Sequence, residues 1–286
     1  MQGRLSRLIA DVPVAEAERQ RDIEGIPPPL RCYAILYISR SGSTWLADLL
    51  SRQGDLGKPR EYLNLDMIAR FATEMNANTL RDYFAMLGRK RASANRVFGL
   101  KVGWAQLELL AGEGLAEDVL AGYSWIYLRR RNLVAQAVSL YKARLTRAYQ
   151  RRRTDSSDLR KALDDADARV AYDADGILRY FNEIVDGERV AEAMIASAAV
   201  SPVRYFYEDL VSADPGTVVA AVHRLVFGVD RPSQPVRPSN IEQTGSAQNL
   251  QFENRFRGAY TDIIAAVEQD RPPLIATPLT TARGGA

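Results

Sequence analysis

The sequence predicts an α/β protein, a P-loop-like three-layer fold in which a central, mostly parallel sheet is flanked by helices. Apolar runs rich in aromatic and β-branched residues recur along the chain, and a stretch of helical composition follows each run. The first run also ends in a turn rich in glycine and serine. Strands that alternate with helices form parallel sheets covered on both faces, so this order of segments indicates the fold class.

Four segments have the composition of strands. They are residues 31–38 (RCYAILYI), 96–103 (RVFGLKVG), 123–130 (YSWIYLRR) and 203–210 (VRYFYEDL). Residues 44–52 (TWLADLLSR) have helical composition with one apolar face. In residues 132–150 apolar side chains recur at helical spacing while basic side chains fall elsewhere, which predicts a helix with a packing face and a basic face.

The chain divides into an arm and one domain. Residues 1–29 form a weakly amphipathic, charged stretch that ends near GIPPP, and three consecutive prolines favour an extended linker. We therefore expect an N-terminal arm and proline linker over residues 1–29, as an appendage to a single domain over residues 30–286. The charged insertion around residues 150–176 has two open interpretations, a mobile crossing and a solvated helix.

Composition excludes several classes of protein. Cys32 is the only cysteine among 286 residues, so the chain can form neither an internal disulfide nor a cysteine-based zinc site. No segment reaches the roughly 18 apolar residues of a membrane span, and the N-terminus lacks the apolar core of a signal peptide. We expect a cytoplasmic protein. The net charge is only +3, and triple-arginine runs at residues 129–131 and 151–153 indicate local anion binding rather than a general polyanion coat.

The turn after the first predicted strand, YISRSGSTWL (residues 37–46), has the features of an anion site. A turn from strand to helix places unpaired backbone N–H groups and the positive end of the helix dipole at one point. Gly42 lets a phosphate approach the backbone, and Ser43 and Thr44 add hydroxyl donors. Arg40 adds a charge that can contact two oxygens. The turn matches neither the Gly-Lys-Ser/Thr loop of nucleotide kinases nor the G-x-G-x-x-G turn of dinucleotide-binding folds.

This turn resembles the 5′-phosphosulfate loop of sulfotransferases, enzymes whose donor is 3′-phosphoadenosine 5′-phosphosulfate (PAPS). A second segment, RNLVAQAVS (residues 131–139), is similar to the family's site for the donor's 3′-phosphate, where a serine follows an arginine by eight positions. Eight residues of helix advance roughly 12 Å, a span that two such side chains can share across one phosphate. The resemblance implies that Arg131 and Ser139 bind this phosphate.

Three further segments also resemble sulfotransferases, and two of them resemble one bacterial branch of the family. GKPREYLN (residues 57–64) is similar to a segment of the bacterial Stf0-type sulfotransferases, the branch that includes trehalose 2-sulfotransferase, in which the glutamate is the proposed general base. FGLKVGWAQLELL (residues 98–110) resembles the Stf0 segment that follows the second strand. YEDLVSADP (residues 207–215) matches an element of sulfotransferases in general, in which Glu208 and Asp209 would brace loops near the site.

The resemblance implies an enzyme that moves a sulfuryl group from PAPS to a hydroxyl of a carbohydrate or glycolipid, releases 3′-phosphoadenosine 5′-phosphate (PAP) and needs no metal. Glu61 would be the general base, because the donor's negative charge would raise its proton affinity. Arg40 would neutralise the leaving phosphate oxygen. The implied donor-binding residues are Arg40, Ser41, Gly42, Ser43, Thr44, Trp45, Arg131 and Ser139, and the implied acceptor-binding residues are Lys101, Trp104 and Gln106.

Several alternatives stay open. The acceptor is either a sugar hydroxyl or the hydroxyl of a non-sugar small molecule or secondary metabolite. A non-catalytic module that binds nucleotides or nucleic acid through the arginine runs would instead show affinity that falls steeply with salt. We expect no specific nucleic-acid partner, and a homodimer remains open. His223, the only histidine, is remote from every motif and is expected to be a packing residue. Candidates to cover the donor's adenosine are Arg237, Gln243, Arg255 and Arg257.

Overall fold

Four parallel strands form the central sheet of the computed structural model, which describes residues 3–198, 200–232, 234–242, 245–272 and 275–279. The strands are β1 (Arg31–Tyr37), β2 (Val97–Gly103), β3 (Ser124–Arg129) and β4 (Val203–Phe206), in the order β2-β1-β3-β4. The α/β prediction is confirmed. The last predicted strand is too long, because its second half begins a helix at Tyr207.

Helices cover both faces of the sheet. They are α1 (Arg4–Ile9), α2 (Glu16–Gly25), α3 (Ser43–Ser51), α4 (Ile68–Met75), α5 (Leu80–Arg91), α6 (Trp104–Gly112), α7 (Ala116–Leu120), α8 (Leu133–Thr146), α9 (Ser157–Ala168), α10 (Ala174–Ser197), α11 (Tyr207–Ser212), α12 (Pro215–Phe227), α13 (Ala247–Ala259) and α14 (Thr261–Asp270). Among the described residues, none of these helices is both long and apolar enough to cross a bilayer.

Successive side chains of a strand point to opposite faces of the sheet, and a separate hydrophobic core packs on each face. Ala34 and Leu36 of β1 face the larger core, which α1, α4, α5, α6, α8 and α10 cover. Tyr33 and Ile35 face the smaller core, which α3 and α12 cover. Because β1 lies between β2 and β3, the loop that follows β1 opens where three parallel strands end. Ligands of open α/β sheets bind at this edge.

The first helix belongs to the larger core, which corrects the expectation that the whole N-terminal arm is an appendage. Leu5 and Ile9 are completely buried in that core. The carboxylate of Glu113 accepts hydrogen bonds from the backbone N–H of Leu5 at 2.9 Å and from the hydroxyl of Ser6 at 2.7 Å. Burial of two large aliphatic side chains stabilises this attachment by about 3–6 kcal/mol, at about 1.5–3 kcal/mol each.

The charged segment around residues 150–176 contains a solvated helix, one of the two structures that composition left open. No residue of α9 is buried. The hydroxyl of Ser156 accepts from the backbone N–H of Leu159 at 3.2 Å and caps the helix. A backbone bridge between Arg152 and Ile241 joins the segment to the chain that precedes α13.

Candidate active site

The loop between β1 and α3 has a backbone shape that requires glycine at one position. Gly42 has φ 81°, in the left-handed region, and is the N-cap residue of α3. A Cβ atom at Gly42 would lie 2.3 Å from Cδ2 of Tyr207, so the tyrosine ring packs directly on the glycine. Arg40 also has a left-handed φ of 65°. The two residues turn the chain tightly enough to point the first N–H groups of α3 out of the loop.

The polar groups of this loop fit an anionic oxygen. Ser41 and Ser43 are buried. Within the described part of the chain, the hydroxyl of Ser41 is buried and has no hydrogen-bond partner. An unpaired buried hydroxyl costs about 1–3 kcal/mol unless a ligand satisfies it. Together with the positive end of the α3 dipole, the loop can hold a phosphate or sulfate group.

A chain of three polar side chains connects this loop with Glu61. The ammonium Nζ of Lys101, on β2, donates to the Thr44 hydroxyl over 3.0 Å and lies 2.8 Å from the Glu61 carboxylate. The Lys101 side chain is only 6% exposed, whereas that of Glu61 is 31% exposed. The structure therefore brings Lys101 and Glu61 to the loop and leaves the carboxylate accessible to a ligand. The acceptor contact expected of Lys101 stays a prediction.

The protein's own residues lower the pKa of Glu61. Burial alone raises this pKa, but the charge of Lys101 and polar contacts with Lys101, Tyr37 and Asn64 outweigh burial. The negative charge of a bound donor would act in the opposite direction. The rise in proton affinity expected beside the donor therefore stays a prediction, and in the protein alone Lys101 is the dominant neighbouring charge.

Tyr37 is a site residue that the sequence analysis missed. Its ring lies under the Lys101 ammonium, 4.9 Å from Nζ to the ring centroid, and its hydroxyl lies close enough to the Glu61 carboxylate for each group to shift the pKa of the other. Burial and the Glu61 charge raise the pKa of Tyr37, so its hydroxyl stays protonated. Its position as the last residue of β1 could have identified it, since α/β sheets bind ligands at the ends of such strands.

The structure pairs Ser139 with Arg40 rather than with Arg131. Nε of Arg40 donates to the Ser139 hydroxyl over 2.9 Å, and its guanidinium also donates to the backbone carbonyl of Tyr149. Ser139 lies in the second turn of α8, so this helix faces the loop at its positively charged end. The loop and α8 therefore lie close together, but the arginine that contacts Ser139 is Arg40 and not Arg131.

Arg131 is held by the segment that follows β4. Its Nη1 and Nη2 atoms lie 2.5 and 2.7 Å from the two carboxylate oxygens of Asp209, and its guanidinium stacks on Phe206 at 4.3 Å. The Glu208 carboxylate accepts from the backbone N–H groups of Arg131 and Asn132 at 3.0 and 3.2 Å. Glu208 and Asp209 thus brace the turn between β3 and α8, as the sequence suggested.

Arg130, which the sequence analysis did not single out, faces the loop. Its guanidinium lies 4.9 Å from the ring centroid of Tyr207, the same ring that packs on Gly42. Burial and the charge of Arg130 lower the pKa of Arg40, so the two cations lie close enough to repel each other. In the sequence, the eight-residue spacing to Ser139 selects Arg131, and no pattern points to Arg130.

Three other predicted residues make structural contacts. Gln106 accepts from the backbone N–H of Gly103 at 2.9 Å and caps α6. The indole of Trp104 lies against Gly187 of α10, where a Cβ atom would be 2.6 Å from Nε1. Trp45 packs against the smaller core. Contacts of these side chains with a substrate stay predictions.

The residues proposed to cover the adenosine are dispersed. Arg255 stacks on Tyr172 at 3.8 Å, and Arg257 donates to Asn132 over 2.8 Å. The backbone N–H of Arg237 donates to Gln53 over 3.2 Å. Gln243 lies outside the described residues. His223 is buried and stacks on Phe227 at 4.2 Å, as expected of a packing residue.

A polar cleft opens beside the loop, between the C-terminal half of α8, α9 and the start of α13. Arg40 and Ser139 form the wall that adjoins the loop. Other lining residues include Thr146, Arg151, Asp164 and Asn249. The cleft therefore offers both signs of charge and several hydrogen-bonding groups next to the anion loop.

The family model described as Stf0 sulphotransferase matches residues 32–259. This range includes the loop, Glu61, the whole of α13 and all four strands except Arg31, the first residue of β1. A search of curated proteins finds no match. Because the family model covers well over half of the chain, the protein belongs to the Stf0 sulphotransferase family.

Proposed function

We propose that this sulfotransferase transfers a sulfuryl group from PAPS to a hydroxyl of a carbohydrate or glycolipid, with Glu61 as the general base. The contact of Lys101 with both Thr44 and Glu61 carries the proposal. It joins the anion-binding loop to a carboxylate through a single cation. A transfer between a bound anion and a hydroxyl needs this proximity of donor site and base.

In the proposed step the acceptor oxygen forms a bond with sulfur while its proton passes to Glu61. The bond between sulfur and the bridging phosphate oxygen breaks, and PAP leaves with that electron pair. Arg40 would neutralise the charge on the leaving oxygen, and the N–H groups at the start of α3 would orient the donor. Tyr37 and Lys101 would keep the Glu61 carboxylate in position and ionised before the step.

The choice of a sugar acceptor rests on the resemblance of residues 57–64 to the Stf0 branch that includes trehalose 2-sulfotransferase. The polar cleft is lined by Arg40 and Ser139, and its described lining does not include Glu61 or Lys101. We therefore assign the cleft to the donor side of the site.

Titration with PAP and a substitution of the base test the proposal together. We expect micromolar, saturable PAP binding, in contrast to the steep salt dependence of a nucleic-acid-binding module. Glu61→Gln should keep the PAP affinity and lower sulfuryl transfer from labelled PAPS by about 10²–10⁴-fold, the usual contribution of a general base. The control Glu108→Gln, at an exposed position of α6, should leave both unchanged.

Two outcomes contradict different parts of the proposal. Absence of PAP binding in the wild-type protein would exclude PAPS as the donor. Unaltered transfer by Glu61→Gln, with PAP binding intact, would place the base elsewhere. A panel of methyl glycosides, disaccharides and phenols, assayed with labelled PAPS, separates the sugar acceptor from the non-sugar alternative.

A further inference from the structure

The two peptide units that lead from β3 into α8 are held from both sides. The Glu208 carboxylate accepts from the backbone N–H groups of Arg131 and Asn132 at 3.0 and 3.2 Å. The Arg271 guanidinium donates to the backbone carbonyl oxygens of Arg130 and Arg131 over 2.5 and 3.0 Å. Each of these peptide units therefore has its N–H on a carboxylate and its carbonyl on a guanidinium. Glu208 and Arg271 together form a clamp that fixes the orientation of this turn.

Arg271 has little capacity left to bind a ligand itself. Its side chain is only 5% exposed. Besides the two carbonyls, it binds both oxygens of Glu188, through Nε at 2.8 Å and Nη2 at 2.6 Å. Glu188 is in turn held by Arg129, whose Nη2 lies 2.7 Å away. Because Nε, Nη1 and Nη2 of Arg271 all donate within the protein, any effect of Arg271 on a ligand must pass through the turn.

The turn sets the start of α8, and α8 contacts the anion-binding loop. The side chain of Gln136 is buried and donates to the backbone carbonyl of Ser39 over 2.7 Å. Further along the helix, the Ser139 hydroxyl accepts from Nε of Arg40 at 2.9 Å. Ser39 and Arg40 begin the loop whose N–H groups can hold an anion. A displacement of the turn would therefore shift α8, and with it the Ser139 hydroxyl, relative to the loop.

The two halves of the clamp come from different parts of the chain. Glu208 lies in the segment of residues 207–215 that resembles sulfotransferases in general. Arg271 directly follows α14 and lies beyond residue 259, where the match to the family model ends. The C-terminal segment is also attached further on, where the backbone N–H of Thr277 donates to the carbonyl of Arg204 over 2.8 Å. The carbonyl side of the clamp is therefore a feature that the family match does not describe.

We propose that Arg271 is a positioning residue for donor binding. By holding the carbonyl side of the clamp, it keeps the turn and the start of α8 where Arg131 and Ser139 can bind the 3′-phosphate, the role that the family resemblance implies for them. This inference rests on the proposed function, since it assumes that the nucleotide is PAPS or PAP. A residue on a fixed backbone loses little freedom on binding, and a displacement of about 1 Å weakens such a contact strongly.

Calorimetric titration of the full chain with PAP and with adenosine 5′-monophosphate (AMP), which lacks the 3′-phosphate, tests the inference. Arg271→Gln releases both carbonyls, so the turn can shift and the preference for PAP over AMP should fall by about tenfold or more. AMP affinity should stay within a few-fold of wild type, because the described contacts of Arg271 lie at the turn and not at the loop. A purely structural role would lower the melting temperature and leave the preference unchanged.

Arg204→Gln is the matched control. Arg204 makes a similar paired contact, with the two oxygens of Glu192 at 2.6 and 2.8 Å, and its described side-chain contacts lie on α10 and β3 rather than at the turn. This variant should lose stability and keep the preference for PAP.

Arg271→Lys carries the test if Arg271→Gln does not fold. It keeps a positive charge beside Glu188, but an ammonium lacks the planar fork that reaches a carboxylate and two carbonyls at once. The lysine variant should therefore fold and still lose much of the preference for PAP.

Each other outcome overturns the inference. If both Arg271 variants discriminate PAP from AMP as the wild type does, Arg271 only stabilises the fold. If Arg271→Lys alone keeps the full preference, the charge beside Glu188 matters and the bonds to the carbonyls do not. If PAP and AMP weaken equally, or if Arg204→Gln loses as much preference as Arg271→Gln, the loss does not come from the position of the turn. Absence of PAP binding by the wild-type protein would instead remove the proposed function, and the inference with it.

Discussion

Two arginine clusters lie at the end of β3, and they differ in their balance of charge. The bracing cluster contains Arg129, Glu188 and Arg271, and both arginines lie within 3 Å of the Glu188 carboxylate. The loop cluster contains Arg40 and Arg130, whose strongest contacts in the described structure are with a hydroxyl, a carbonyl and an aromatic ring. In the first cluster both guanidinium groups contact a carboxylate, and Glu192 lies 3.5 Å from Arg129 as well. In the second cluster the nearest carboxylate contact in the described structure is the 3.7 Å pair between Arg130 and Glu208.

Whether a carboxylate compensates an arginine distinguishes a structural arginine from a ligand-binding one better than the presence of an unpaired side-chain nitrogen does. Nε of Arg129 is also buried without a partner, as is Nε of Arg130. The charge of Arg129 is nevertheless met by Glu188 at 2.7 Å, whereas Arg130 has only the 3.7 Å contact with Glu208. An arginine with a compensated charge supports the fold, and one with an uncompensated charge is available to an anion.

The largest expected effect comes from breaking the bracing cluster. Glu188→Gln leaves two buried arginines without their shared counter-charge, and loss of one partner of a buried pair typically costs about 3–5 kcal/mol. We expect a loss of this size in the free energy of unfolding, measured by urea denaturation. The control is Glu183→Gln on the same helix, whose carboxylate makes only a 3.5 Å pair with Arg144 and should change stability by less than about 0.5 kcal/mol.

The bracing cluster also predicts how stability depends on pH. Burial raises the pKa of Glu188, but hydrogen bonds and charges from Arg271 and Arg129 outweigh burial and lower it. A lowered pKa in the folded state stabilises the protein above the pKa of the unfolded carboxyl, and this stabilisation is lost as pH falls. The acid unfolding of wild type should therefore be steeper than that of Glu188→Gln. Equal pH dependence of the two proteins would contradict this account.

Part of the fold and of the candidate site could be predicted from the sequence. The four strands and the anion loop follow from local composition, because they are set within short segments of chain. The place of Glu61 beside that loop was implied only by the family resemblance. The different roles of Arg129, Arg130 and Arg131 do not. Adjacent residues leave a strand end in different directions, and their roles depend on partners such as Asp209 and Glu188 that lie far along the chain.

Other differences have the same physical origin. Helix α1 has a short apolar face that composition cannot distinguish from a solvated surface, and only the packed core shows that Leu5 is buried. The pKa of Glu61 depends on Lys101, which approaches it because the segment that carries Glu61 bridges to β2 between Arg60 and Leu100. Trp104 packs on Gly187, a glycine of α10 that no local pattern links to it. Long-range contacts therefore decide what short motifs leave open.

An intermediate effect is expected from the shape of the loop. Gly42→Ala adds a left-handed residue, at about 1–2 kcal/mol, and also a Cβ atom 2.3 Å from the Tyr207 ring. The guanidinium of Arg130 stacks on the Tyr207 ring, so the clash should displace both side chains and lower PAP affinity by about tenfold or more. Gly54→Ala is a matched control, since Gly54 has φ +87° and a Cβ there meets nothing within 4 Å. It should lose stability only, and an equal loss of PAP affinity in both variants would exclude the steric explanation.

The smallest expected effect concerns a compensated pair next to the loop, Lys101 and Glu61. Lys101→Met removes the charge that opposes burial, so the pKa of Glu61 should rise. Carbon-13 NMR of labelled glutamate carboxyls, with Glu61→Gln to assign the signal, measures this shift without an acceptor.

The same substitution links the pair to the reaction. A base with a raised pKa becomes protonated sooner as pH falls, so the acid limb of kcat/KM for sulfuryl transfer should move to higher pH in Lys101→Met. Lys58→Met changes an exposed lysine of the segment that carries Glu61 and should leave both the NMR titration and the acid limb in place. If the carboxyl titration moves and the acid limb does not, the limiting base is a group other than Glu61. If neither moves, Lys101 serves the donor loop through Thr44 and does not control the base.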